Sequence, residues 1–137
     1  MKYYKTRVRK LSGTHWDRLY KKAFGQYKEI IRKSKRRPYI RSAYFGKQKI
    51  FLGLFWQHLF DKSLGDKVRR IAFFPCAIEL IQKTKFEPVS KENPNKPKEI
   101  FHRFFGSTSD NEIFFVQIKE DKKTDKKYLI SVFPFGK

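Results

Sequence analysis

A chain of 137 residues, 39% apolar and 18% aromatic, has the length of one ordinary domain, and its 15 phenylalanines, spread along that length, exclude a solvated coil. Against 13 acidic residues stand 33 Lys and Arg, and a formal charge of +20 on so small a body repels itself unless counterions or a polyanion screen it. A single cysteine, Cys76, excludes an internal disulfide framework and a cysteine-rich zinc site, and His15, His58 and His102 lack the paired spacing of a metal motif, so neither a metal nor a cofactor is expected.

The charge is lopsided: residues 1–50 hold 17 basic and 2 acidic side chains, residues 51–137 hold 16 and 11. Residues 1–13 read as a basic lead dotted with aromatics, and residues 14–137 as a single α+β domain. The lead lacks the apolar stretch of a secretory signal, and the longest apolar run, in KIFLGLFW, is too short to span a bilayer. A cytoplasmic protein with no membrane partner is the expectation.

Thr14 stands three residues before Asp17 in the manner of a capping box. Trp16, Leu19, Tyr20, Ala23, Tyr27, Ile30 and Ile31 follow at helical spacing, with Arg18, Lys21, Lys22 and Lys28 on the other side. This predicts a helix over about 14–34, weakened by Gly25 and ended by KSKRRP ahead of Pro38. PYIRSAYFGKQ reads as a short strand or a loop. KIFLGLFWQHLFDKSLGD predicts a second helix over about 49–62 that stops at Leu64-Gly65. Residues 68–73 read as a helical turn or short strand; Pro75, acceptable at a first helical position, opens a helix over about 75–83 that buries Ala77, Ile78, Leu80 and Ile81. EPVSKENPNKPKE, with three prolines, reads as a surface connection.

From Glu99 onward the period becomes two. EIFHRFF, EIFFVQIKE and KYLISVFPF predict an antiparallel meander over about 99–135, with the preceding helices packed on one face. Alternation puts Ile100, His102, Phe104, Phe114, Val116, Ile118, Tyr128, Ile130 and Val132 on the packed face. Phe101, Arg103, Phe105, Phe115, Gln117, Lys119, Leu129, Ser131 and Phe133 fall on the other.

That second group mixes phosphate donors with flat rings, which stack unpaired bases for about 1–3 kcal/mol each. Left open, such a face suits single-stranded RNA; covered, it leaves Arg103 and Lys119 merely snorkelling to water. His102 points to the packed side, where a hydrogen-bonded core histidine is the simpler reading, unless a β-bulge beside Gly106 exchanges it with Arg103. His58 reads either as a buried hydrogen-bonding residue or as a general acid or base suited to neutral pH. Arg69 and Arg70 read as solvated surface or as a phosphate clamp, and Arg36, Arg37 and Arg41 as further nucleic-acid contacts in the basic third.

A WQHL helix, the RRIAFFPCAIELI segment with its internal proline, and a meander that begins HRF and ends YLISVFP make residues 45–135 resemble the barnase, EndoU, colicin and RelE-like RNase superfamily, above all its phage and mobile-element branch. The resemblance implies a metal-independent endoribonuclease in which the RNA 2′-hydroxyl attacks its own phosphate and leaves a 2′,3′-cyclic phosphate. A toxin or defence effector acting on translated, ribosomal or transfer RNA, with an antitoxin or immunity protein as partner, is what that membership implies. It also implies His58 as the helix histidine, Arg103 as a strand cation and Ser131 as the late-strand hydroxyl; Lys119 joins them from the alternation. No carboxylate is evident on the open strand face, so an acidic general base is unassigned. Two alternatives stay open: a non-catalytic basic RNA-binding or ribosome-associated protein, and a DNA-binding protein that sets the helix over 14–34 on a duplex.

Overall fold

The computed structural model describes residues 2–135, which form four helices and one seven-stranded sheet. Strand β1 (Tyr4–Lys5) precedes helix α1 (Trp16–Lys33), whose inner stripe buries Leu19, Ala23 and Tyr27 as the periodicity predicts. The Thr14 capping box is not formed: His15 takes the N-cap position and makes no side-chain cap bond. At the other end Ser34 donates its hydroxyl to the Ile30 carbonyl at 2.7 Å and accepts the Tyr39 N–H at 3.1 Å, turning the chain into the sheet.

PYIRSAYFGKQ resolves into β2 (Tyr39–Ser42) and the turn after it; β3 (Gln48–Phe51) pairs antiparallel with β2. The predicted second helix therefore loses its first turn. Ile50 and Phe51 pair with Ile40 and Tyr39 on one side and with Lys127 and Tyr128 on the other, and this pairing outweighs local helix spacing. Helix α2 (Gly53–Phe60) follows. Leu64-Gly65 is a start rather than a stop: Ser63 accepts the Asp66 N–H at 3.4 Å and caps α3 (Leu64–Ile71), whose first-turn Asp66 suits the positive helix end. Helix α4 (Phe74–Lys83) has Pro75 in its first turn and buries Ala77, Ile78, Leu80 and Ile81.

The predicted surface connection is also corrected. Val89–Asn93 forms β4, an exposed strand antiparallel to the long β5 (Lys96–Ser107); Pro88 precedes β4, Pro94 lies in the turn and Pro97 at the outer end of β5, where no ladder donor is required. Strands β6 (Ile113–Asp121) and β7 (Lys127–Pro134) complete the predicted antiparallel meander. The strand order is β1-β5-β6-β7-β3-β2, with β4 also on β5; β1 joins β5, and β3 joins β7, in parallel.

A bulge in β7 changes the predicted faces. Gln117 pairs with Ser131 but Ile118 pairs with Leu129, so Ile130 is the extra residue. Leu129 and Lys127 therefore turn to the buried face, at 0% and 3% exposure, and Tyr128 turns outward beside Lys119. On the buried face Phe73 stacks on Phe114 with ring centroids 5.3 Å apart. Gly106 is required there: a Cβ would meet the Phe114 ring and come within 2.8 Å of Leu80 Cδ1.

His102 lies on this buried face. Its Nε2 is 2.8 Å from Glu120 Oε1 and its Nδ1 2.6 Å from Ser90 Oγ, so the carboxylate accepts the Nε2–H and the serine hydroxyl, which can donate or accept, satisfies Nδ1. Lys127, 3.0 Å from Asp125 and 4.0 Å from Glu120, extends the chain of polar groups. A buried histidine with both nitrogens engaged ties β4, β5 and β6 together.

Candidate nucleic-acid interface

The other face of the meander carries three columns of side chains. From β5 come Phe101, Arg103 and Phe105; opposite them on β6 stand Lys119, Gln117 and Phe115; and β7 adds Tyr128, Ser131 and Phe133 in the same rows. The rings are only half-buried and Arg103 is exposed. Phe115 is the hub, with centroids 5.4 Å from Phe105 and 5.2 Å from Phe133.

Arg103 donates to Gln117 Oε1 from Nη2 at 3.1 Å, and its guanidinium lies 5.2 Å from the Phe133 centroid and 5.8 Å from that of Phe115. A second guanidinium reaches the same ring from α3: Arg70 sits 5.6 Å from the Phe133 centroid and donates from Nη1 to Ser131 Oγ at 2.9 Å. Arg70 Nε is held by Asp66 at 3.1 Å. Both cations are thus positioned by a hydrogen-bond acceptor and a ring face, and each guanidinium, with five N–H groups, keeps donors for a phosphate.

His58 is exposed on α2 and lines one small cleft with Lys62, Arg70, Ile130, Ser131 and Val132. Phe55 and Leu59 bury the neighbouring stripe of α2, which turns His58 and Lys62 toward the bulged part of β7. Of the two readings of His58, burial is therefore excluded. The structure brings His58, Arg70 and Ser131 to one place, with Arg103 across the Phe133 ring.

Lys119 belongs to a different neighbourhood. Its ammonium is 5.5 Å from the Tyr128 centroid and 3.6 Å from Glu99 Oε2, in a cleft of about 420 Å³ that Arg37, Phe51, Leu54, Gln57 and Asp121 also line. Glu99 and Asp121 stand directly opposite each other on β5 and β6, in the row beyond Phe101 and Lys119. The expectation that this face lacks carboxylates is thereby overturned. Carrying the alternation two residues further along each strand would have found both.

At the opposite margin, Phe101, Phe105 and Phe115 with Val89 and Lys91 line a cleft of about 370 Å³. The remaining predicted contacts lie elsewhere. Arg69 pairs with Asp66 at 2.9 Å and lines a hollow beside Phe73 and Phe135. Arg41 donates to the Lys47 carbonyl at 3.0 Å and lies against Tyr39, facing a hollow between α1 and β2; Arg36 is exposed in the loop after α1 with φ 68°.

Among the described residues no three His, Cys, Asp or Glu side chains converge as a metal-binding group, and no helix is long and apolar enough to cross a membrane. No protein-family model, curated protein or solved structure matches the chain.

Proposed function

We propose that this chain is a cytoplasmic, metal-independent endoribonuclease that cuts single-stranded RNA laid across the ring-bearing face of the meander. In this reading the helices cover the buried face and leave the other to the substrate. One observation carries the proposal: Arg70 from α3 donates to Ser131 and shares the Phe133 ring with Arg103, while His58 lines the same cleft.

The chemistry asks for little beyond these groups. His58 takes the 2′-hydroxyl proton, the 2′-oxygen bonds to phosphorus, and the 5′-oxygen departs with a proton from Lys62 or water. Arg70 and Arg103 face the charge that develops on the phosphorane, and their fixed positions mean that little reorganisation is needed. Ser131 orients Arg70. Glu99 and Asp121, four residues along β6 from Gln117 or opposite that position, lie roughly 13 Å away at strand spacing and are outside reach of the same phosphate.

An RNase of this kind acting in its own cell needs an inhibitor, and an antitoxin or immunity protein carrying acidic groups toward Arg70 and Arg103 fits that role. The test is incubation of purified protein with total RNA in chelator, followed by end-group analysis. Cyclic phosphate ends that vanish in His58→Ala and Arg103→Ala proteins of unchanged fold support the reading. Intact RNA bound with steep salt dependence would replace it with the non-catalytic RNA-binding reading.

A further inference from the structure

Ser90, His102 and Glu120 take no part in the ring-bearing face, yet on the opposite side of the sheet they form one hydrogen-bonded chain of reactive groups. Ser90 on β4 stands directly opposite His102 on β5, and Glu120 reaches the same ring from β6, two residues beyond Ile118, the ladder partner of His102. Ser90 Oγ is 2.6 Å from His102 Nδ1, and His102 Nε2 is 2.8 Å from Glu120 Oε1. Phe45 lies edge-on to the imidazole with centroids 5.0 Å apart, and Lys127 Nζ stands 4.0 Å from the Glu120 carboxylate, so ring and carboxylate are both held in place. A link that only tied strands together would be enclosed at both ends. This one runs from a histidine 8% exposed to a serine that faces solvent.

We infer that Ser90 is the nucleophile of a Ser–His–Glu triad that hydrolyses small acyl esters. The inference is independent of the RNA reading. A serine hydroxyl attacks carbonyl carbon only when a base within hydrogen-bond reach takes its proton, and that base needs a third group to fix its tautomer. Glu120 fixes it here by accepting the Nε2–H, which leaves the Nδ1 lone pair of the neutral ring for the serine proton. Either ring nitrogen serves as the base when the other is held by the carboxylate.

The backbone supplies the donor that the reaction also needs. Lys98 accepts the Lys122 N–H on the β6 side of β5, whereas Ser107 accepts the Thr6 N–H on the side that β1 and β4 share. Alternation along β5 therefore turns the backbone groups of His102 toward β6 and those of Phe101 and Arg103 toward β4. Val89 and Lys91, their partners, carry the ladder, and the N–H of Ser90 points to the outer edge of β4, which pairs with β5 alone among the described residues. Nucleophile and free N–H thus belong to one residue on an open edge.

The steps balance without a co-reactant other than water. Ser90 Oγ bonds to the ester carbonyl carbon as its proton passes to His102 Nδ1, and the oxyanion faces the Ser90 N–H. Glu120 faces the imidazolium. Collapse breaks the carbon–oxygen bond to the alcohol, which leaves with the proton from Nδ1. Water then attacks the acyl-serine with the same base, releasing the acid and restoring the hydroxyl. The open edge sets the substrate class as a small, unhindered acyl group.

The experiment uses the full chain and two probes. A fluorophosphonate is expected to label the tryptic peptide of residues 86–91 at Ser90 about 100-fold faster than the exposed Ser12 and Ser109, and p-nitrophenyl acetate is expected to release nitrophenolate over many turnovers. Ser90→Ala, a change at an exposed position, should reduce release to the background from lysines, so the test does not depend on a core variant folding. His102→Gln should slow labelling by about 10²–10⁴. Glu120→Gln keeps the size and an acceptor for the Nε2–H but loses the charge; labelling should fall with little change in melting, and Glu120→Asp should recover part of it. Labelling of Ser90 no faster than of Ser12 and Ser109, release that survives Ser90→Ala, or labelling without sustained release would each overturn the triad. Intact RNA in the cleavage assay leaves it standing.

Discussion

Arg70 and Ser131, 61 positions apart in sequence, are joined by a 2.9 Å hydrogen bond from the guanidinium to the hydroxyl. Asp66 holds the other edge of the same guanidinium, so the cation is aimed rather than free to sweep the surface. Removing an aimed donor to a developing oxyanion costs about 10²–10³ in rate, and that loss is expected for Arg70→Ala in kcat/KM on a labelled oligonucleotide. Arg70→Lys restores only a minor part, because an ammonium cannot bridge Asp66 and Ser131 as a planar fork does. Full recovery with lysine would reduce Arg70 to a point charge.

His58 projects into that cleft from α2 without packing into the core, so its removal should leave the fold alone. His58→Ala is expected to lower kcat by about 10²–10⁴ while the melting temperature and RNA affinity stay close to wild type. The informative readout is chemical rescue: added imidazole is expected to restore part of the lost kcat, and no rescue would assign the base elsewhere.

Arg103 is predicted to report on binding through salt. Each phosphate that a protein stops neutralising in a single-stranded complex reduces the slope of log K against log salt by about 0.7, so Arg103→Ala should flatten the titration by that amount. Phe133→Ala removes the ring that both guanidiniums flank, and it should weaken binding with a smaller change of slope, since its share is stacking and positioning. Anisotropy titrations at four salt concentrations separate the two.

What could be read from residue order alone followed periodicity. Helix α1, helix α4 and the three strands of the meander repeat their burial often enough for the pattern to be unambiguous. Non-local pairing erased the pattern elsewhere. Ile50 and Phe51 fit a helix until β7 offers them an edge, and Val89–Asn93 looks like a loop until β5 does. The bulge at Ile130 has no local signature, yet it decides that Tyr128 rather than Leu129 stands beside Lys119. In the candidate site, Arg103, Gln117, Ser131 and the rings of Phe101, Phe105, Phe115 and Phe133 followed from alternation, whereas Tyr128 did not. The approach of Arg70 to Ser131 did not, because it depends on how α3 meets the sheet.

The N-terminal segment supplies a pH test of the scaffold. Glu79 on α4 accepts the Tyr4 O–H at 2.6 Å and the backbone N–H groups of Arg7 and Val8 at 2.9 Å each. Burial pushes this carboxyl up, but the hydrogen bond from Tyr4 and those from the backbone outweigh it and hold the group below its ordinary 4.5. The Tyr4 phenol is pushed up to about 12, first by burial and then by its bond to Glu79. A depressed carboxyl stabilises the fold above its unfolded value, and that contribution is lost as pH falls through the folded one. A raised phenol stabilises below its unfolded value near 10, and its contribution is lost as pH rises toward 12. Denaturation across pH should show the clamp at full strength between about pH 5 and 10, eroding on both sides. Glu79→Gln is expected to cost about 1–3 kcal/mol near neutrality and to shorten the acid limb. Because β1 pairs with β5 at Gly106 and Tyr3 lies edge-on to Phe105, loosening the clamp should also weaken RNA binding at that margin of the ring-bearing face. A Glu79→Gln protein with an unchanged acid limb would show that these hydrogen bonds draw nothing from the carboxylate charge.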